Sequence, residues 1–195
     1  MHIFLQRCQS FQQKGVFDMA DTMSKIKLVV YKKIVDGDIR KFSATSNDKL
    51  SGGGARDLRF NPSKFFLPVF KRMFPNYDGK ILRGAFSWTD HDDTDVEIHT
   101  PTKSRSNEIW IGCVNKCFPT SVAPTDATDC ILLLIMDDNN KVWPYFTSQK
   151  SLCNDNWHPM IKKAILSGIS AKRRKGTTPM GYIDVLNGGT YTNGR

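Results

Sequence analysis

No apolar run in this 195-residue chain approaches the roughly 18–20 residues that a membrane-spanning helix needs. The chain therefore reads as soluble, with no membrane among its partners. The N-terminal stretch MHIFLQRCQSFQQKGVFDM mixes polar and apolar residues and lacks the unbroken apolar segment and small-residue cleavage site of a secretory signal. Export is not expected, which makes the cytoplasm the expected compartment. Cysteine is sparse: Cys8, Cys113, Cys117, Cys130 and Cys153 form an odd set without CxxC spacing, as expected of free thiols in a reducing compartment. The four histidines, His2, His91, His99 and His158, show no HExxH or other ligand spacing, so no metal site is expected. No serine or cysteine sits in a nucleophile elbow, and no GxxxxGK[ST] phosphate loop is present. No catalytic residue and no cofactor is expected.

What is present is charge of uneven sign. The formal net charge is +9, from 28 Lys and Arg against 19 Asp and Glu. Residues 1–75 hold 14 basic and 6 acidic side chains, residues 76–159 hold 7 and 12, and residues 160–195 hold 7 and 1. Basic ends around an acidic middle suit a polyanionic partner. The acids cluster in DHDDTDVEIH (90–99), which keeps open one alternative: a metal-dependent nuclease using Asp93, Asp95 and Glu97 with Mg2+. The usual strand-borne [DE]-x-K is missing there, because Ile98 and His99 follow Glu97 and the nearest lysine is Lys103.

Short β-rich runs dominate: KIKLVVYK (25–32), IRKFS (39–43), RDLRF (56–60), ILRGAFSW (81–88), DVEIH (95–99), EIWIG (108–112), CILLLIM (130–136) and KVWPYF (141–146). Gly, Asn, Asp and Pro clusters separate them at close intervals, which favours a barrel or sandwich over βαβ units. DGD (36–38) and DDNNK (137–141) read as turns, the second closing an apolar hairpin at the core of the sheet.

Two helices are predicted. In one, Asn61 and Pro62 form a cap and first turn, then Phe65, Phe66, Val69, Phe70 and Met73 recur at helical spacing, with Pro68 forcing a kink or restart. The other starts near Pro159, with Met160, Ala164, Ile165 and Ile169 on one face and Lys162 and Lys163 towards water. The expected class is mainly β with two or three helices, an α+β chain whose sheet has seven to eight strands. The expected organisation is an N-terminal extension over 1–22, with Met19 or Met23 as alternative starts, a domain over 23–170, and a basic, loosely held tail over 171–195.

Three segments offer contacts to a nucleic acid. LSGGGARDLRF (50–60) combines a permissive backbone at Gly53 and Gly54 with Arg56 and Arg59, which could serve phosphate or a base edge. HTPTKSRSNEIW (99–110) is a basic loop in the acidic middle. If it is extended, Lys103 and Arg105 point the same way; Arg105 suits guanine, Asn107 adenine, and Glu108 cytosine or the orientation of the arginine. KKAILSGISAKRRK (162–175) holds six basic residues without an acid, including Lys172, Arg173 and Arg174, and suits phosphate rather than sequence.

The order of these pieces resembles the N-terminal effector-binding domain of EcoRII-type restriction endonucleases. The likeness rests on SATSNDKLSGG (43–53), the aromatic helix closing in MFP (73–75), the strand LRGAFSW, the arm KSRSNE (103–108) and the apolar hairpin over 130–146. It covers roughly residues 39–146. The resemblance implies an open β-barrel, the DNA-binding pseudobarrel shared with a plant transcription-factor domain, gripping the major groove of double-stranded DNA with two arms. Carried over by position, Ser43 to Arg59 form one arm, Ser51, Gly53 and Gly54 included, and Lys103, Ser104, Arg105, Asn107 and Glu108 the other. Where the family has a polar GGHQ-like step, this chain has Gly53, Gly54 and Ala55, leaving Arg56 or Arg59 to replace that contact. The resemblance further implies a bacterial restriction or defence role, with the nuclease in a separate domain or subunit.

Overall fold

The computed structural model describes residues 26–43 and 56–194. The described residues form ten strands: β1 (Ile26–Lys33), β2 (Leu58–Phe60), β3 (Asn76–Tyr77), β4 (Ile81–Phe86), β5 (Thr94–His99), β6 (Ile109–Ile111), β7 (Cys130–Asp137), β8 (Val142–Ser148), β9 (Met180–Asp184) and β10 (Gly189–Thr192). Among the described residues there are also five helices: α1 (Asp36–Ser43), α2 (Ser63–Met73), α3 (Val114–Cys117), α4 (Gln149–Asn154) and α5 (Pro159–Ser170). The strands form one curled sheet in the order β10-β9-β1-β7-β8-β4-β5-β6-β2, with β3 paired beside β4. This is the expected open barrel of an α+β chain, with more strands and more helices than the sequence pattern indicates.

β7 is the spine of the sheet. Its Cys130, Leu132, Leu134 and Met136 enter the barrel core, whereas Ile131, Leu133 and Ile135 enter a second cluster with Trp157, Ile161 and Ile165. A strand covered on both faces carries no polar alternation, which is why CILLLIM reads as a continuous apolar run. Its hairpin with β8 pairs Met136 with Val142, and Asn140 in the turn has φ 61°. Asp137 ties that turn, accepting from Lys141 N at 2.8 Å and from Trp143 Nε1 at 2.9 Å.

The open seam between β10 and β2 is filled by α2. Phe66, Val69, Phe70 and Met73 are buried, and Phe60 meets Phe70 edge-on at 5.1 Å. Phe65 stacks on Tyr191 of β10 at 4.1 Å. One helix therefore holds both ends of the sheet. It runs on through Pro68 without a restart, and Pro62 precedes it as the capping residue without a side-chain cap bond. The far end of α2 is latched by Arg72, which donates to both carboxylate oxygens of Asp184 at the end of β9.

Three expectations are corrected. IRKFS, read as a strand, lies in α1, and the DGD turn is that helix's first turn; Phe42 enters the core at helical spacing from Asp38. Residues 171–195, read as a loose tail, contain β9 and β10, and β9 pairs with β1 from Leu28↔Asp184 to Lys32↔Met180. On α5 the buried face is Ile161, Ile165 and Gly168, whereas Met160, expected on that face, is exposed in the first turn, where its N–H donates to the capping His158 ring. The 1–22 extension lies outside the described residues.

Two outcomes test the seam. Phe70→Ala should lower unfolding free energy by about 3–5 kcal/mol in urea titrations, since α2 is then without its central anchor on β2. Burial alone would raise the Asp184 carboxyl, but hydrogen bonds from Arg72 and Asn187 and the guanidinium charge outweigh it and hold its pKa below the usual value. The folded pKa being the lower one, this stability is present above about pH 4 and lost as pH falls through the folded value. Asp184→Asn should flatten that acid limb.

Candidate nucleic-acid interface

The outward face of β2 and β6 gathers much of what the sequence marks out. β2 pairs antiparallel with β6, setting Arg59 opposite Trp110, while Leu58 and Phe60 point into the core. The neighbouring outward positions, Asp57 and Glu108, make the cross-links. Arg105 Nη1 donates to Asp57 Oδ2 at 2.9 Å, and Arg59 Nη1 lies 3.7 Å from Glu108 Oε1. The guanidinium of Arg105 also covers the Trp110 ring at 4.8 Å, and His99 stacks parallel on that ring at 5.3 Å. The two segments read as arms are thus adjacent and ion-paired at their bases.

This changes the role of Arg105. The loop is a turn, not an extended segment: Thr102 bridges to Arg105, and the amides of Arg105 and Glu108 donate to the carbonyls of Thr102 and Arg105. Lys103 and Arg105 consequently do not aim together. Lys103, Ser104 and Asn107 are exposed, whereas Arg105 is folded onto Trp110 and Asp57. Ser63 at the start of α2 pins the loop, donating from N to Asn107 O at 3.0 Å and from Oγ to Ser106 O at 3.1 Å. Arg56 is half-buried, and its carbonyl accepts from Val114 N. Ser51, Gly53 and Gly54 lie outside the described residues.

In the C-terminal basic segment, Arg173 turns back onto the end of α5 and onto β10. It donates to the carbonyls of Gly168, Ile169 and Ala171 and to Asn193, serving as a C-terminal cap. Lys172, Arg174 and Lys175 are exposed.

A polar cleft of about 380 Å³ joins these elements. Arg59, Asn61 and Glu108 line it from the arms, Gly176, Thr177, Thr178 and Met180 from the segment entering β9, and Lys32, Asp38 and Lys41 from β1 and α1. The last three were missed by sequence reasoning. Lys32 shares strand parity with Leu28 and Val30, both in the barrel core, and that parity was the signal that could have found it. Its side chain is 5% exposed and sits 3.0 Å from Asp38 Oδ2, while Lys41 Nζ reaches Asp38 Oδ1 at 2.8 Å. Burial lowers the Lys32 pKa against the opposing charge of Asp38. For Asp38 burial acts upward, and the two lysines outweigh it and hold the carboxyl below its ordinary value.

The acidic alternative finds no such convergence. Asp93 accepts from Ser87 Oγ at 3.2 Å, and Glu97 is engaged by Arg83 Nε at 3.1 Å. Among the described residues no three His, Cys, Asp or Glu side chains are grouped to hold a metal ion. Burial pushes the Cys117 and Cys130 thiols up to about 12, so neither is a thiolate near neutral pH. No described helix is long and apolar enough to cross a membrane.

No protein-family model, curated protein or solved structure matches the chain.

Asp38→Asn should cost about 3–5 kcal/mol, because it strands Lys32 as an uncompensated buried charge. The linkage has a sign: a buried lysine with a lowered folded pKa sheds its proton before the unfolded chain does, so the variant's deficit should shrink as pH rises towards 10.4, the ordinary lysine value. Urea titrations at several pH values measure both.

Proposed function

We propose that this protein is a sequence-specific double-stranded DNA-binding module of a bacterial restriction or defence system, working with a nuclease in a separate domain or subunit. The observation that carries the reading is that three segments the sequence marks as basic border one cleft, the first arm through Arg59, the 103–108 loop through Glu108 at its base, and the C-terminal segment through Gly176, Thr177 and Thr178, which follow the exposed Lys172, Arg174 and Lys175. Exposed cations on such a surface supply the phosphate attraction that dominates duplex affinity. Sequence preference would come from exposed side chains at the loop tip, where Asn107 has an amide suited to adenine and Lys103 a donor suited to guanine.

In this reading Arg105 is a positioning residue. Its salt bridge to Asp57 and its stacking on Trp110 hold the loop against the β2 edge, and Glu108 does the same for Arg59. Arg173 contributes to the fold of the basic segment, leaving Lys172, Arg174 and Lys175 for phosphate. The resemblance to the EcoRII-type effector-binding domain is supported by the open barrel, and by the ion pairs that join Asp57 and Arg59, at the end of one predicted arm, to Arg105 and Glu108 of the other. The metal-dependent nuclease reading draws no support from the separately engaged carboxylates of Asp93 and Glu97.

Selection of bound duplexes from a random pool at physiological salt tests the proposal, and it should return a short common sequence. An unenriched pool would sink it. Against the selected duplex, Asn107→Ala should lose about 1–3 kcal/mol of discrimination with little change on random DNA. Replacing Lys172, Arg174 and Lys175 by Ala should weaken both DNAs alike and lower the salt slope by about 0.9 for each phosphate that is no longer neutralised. Fluorescence anisotropy over a salt series separates the two effects.

A further inference from the structure

The cleft has more positive charge than its own acids balance. Lys32, Lys41 and Arg59 line it against Asp38 and Glu108. One carboxylate, Asp38, serves two ammonium groups, and the more deeply buried of them, Lys32, has its pKa lowered by desolvation. Across the cleft, Arg59 reaches Glu108 only at 3.7 Å, and its buried Nε has no hydrogen-bond partner among the described residues. The first turn of α1 borders the same space through Gly37 and Asp38, and the hydroxyl-bearing Thr177 and Thr178 border it from the other side. Gly176, at φ 85°, has no described atom within 4 Å of where a Cβ would stand, so backbone there is open to approach.

We propose that this cleft is a binding site for a phosphate monoester, with Lys41 and Arg59 as its direct cationic partners, the Thr177 and Thr178 hydroxyls as neutral donors, and Lys32 as the buried charge behind Asp38. A monoester dianion supplies what the cleft lacks: a second counter-charge for two lysines that share one carboxylate, and a closer anionic acceptor for the Arg59 guanidinium than Glu108 at 3.7 Å. Its volume falls within the range of about 300–1,000 Å³ typical of small-ligand sites, so it admits a sugar as well as the phosphate. Among the described residues no aromatic side chain lines it, which argues against a site that reads an unstacked base by stacking. The phosphate could belong to a free mononucleotide or to the end of a nucleic-acid strand, and the chemistry at the cleft is the same.

The inference does not rest on the duplex reading. Titration of the full chain with adenosine 5′-monophosphate, adenosine and inorganic phosphate, at matched ionic strength in chloride, should give saturable binding by calorimetry for the two phosphates and none for adenosine. Lys41→Gln and Arg59→Gln should each weaken it about tenfold or more, the scale of one charge-assisted hydrogen bond, with circular dichroism unchanged. Thr177→Val, which removes a hydroxyl but no charge, should weaken it less. A 5′-phosphorylated duplex that outcompetes its 5′-hydroxyl counterpart would assign the phosphate to a strand end; equal binding of the two with retained mononucleotide binding would assign it to a free nucleotide. Binding of adenosine as tight as its monophosphate, or phosphate binding intact in the folded Lys41→Gln, Arg59→Gln double variant, would overturn the proposal. Loss of duplex selection with nucleotide binding intact would remove the duplex reading alone.

Discussion

A lysine carried into the barrel by strand parity sets the geometry of this molecule's polar end. β1 is covered on both faces from Leu28 to Lys32, by the barrel core on one side and by α5 on the other, and only Lys27 and Lys33 at its ends stay half-exposed. Lys32, on the inward face, is compatible with that burial only beside a carboxylate, and Asp38 in the first turn of α1 provides it. That requirement places α1 against the β1 end, and with it Lys41, Phe42 and the point where the chain departs towards β2. The same pair makes one wall of the cleft polar where the rest of the interior is aromatic and aliphatic.

Sheet order then decides where the charge collects. The N-terminal and C-terminal basic portions are far apart in sequence, but β1 pairs directly with β9, so they become neighbours. The acidic middle runs through β3, β4 and β5, where the cation Arg83 is held locally by both Asp78 and Glu97. The curl of the sheet, stabilised by α2 across its seam, brings β2 back towards β9, and Asn61 N approaches Met180 Sδ at 3.3 Å. Arg59 thereby joins the basic region although β2 lies at the opposite end of the strand order.

Much of this was legible from local pattern. The apolar run of β7, the DDNNK turn and the phenylalanine spacing of α2 each express a single constraint that needs no tertiary information. What failed was set by distant partners. IRKFS has alternation compatible with a strand, and only the Lys32–Asp38 pairing and the burial of Phe42 select a helix there. The C-terminal segment looked loose because its glycines dilute the apolar signal, yet Gly181 is demanded by packing: a Cβ there would stand 2.1 Å from Tyr191 O and 2.5 Å from the Tyr31 hydroxyl. Arg105 and Arg173 were read as contacts by residue type, and their intramolecular partners, Asp57 and the α5 C-terminus, are invisible to spacing.

In the proposed duplex reading, the arginines spent inside the fold bear on recognition as directly as the exposed ones. A loop that must order on contact loses conformational freedom at that moment, at a cost of about 0.5–1.5 kcal/mol for each immobilised flexible side chain. Here the 102–108 turn is held before any contact by Arg105 on Asp57 and Trp110, by two bonds from Ser63, and by pairing of β6 to both β2 and β5. Lys103, Ser104 and Asn107 project from a turn whose base is already fixed. An arginine released from Trp110 and Asp57 would leave that turn unanchored, so under the proposed duplex reading its packing there assigns discrimination to the residues at the tip.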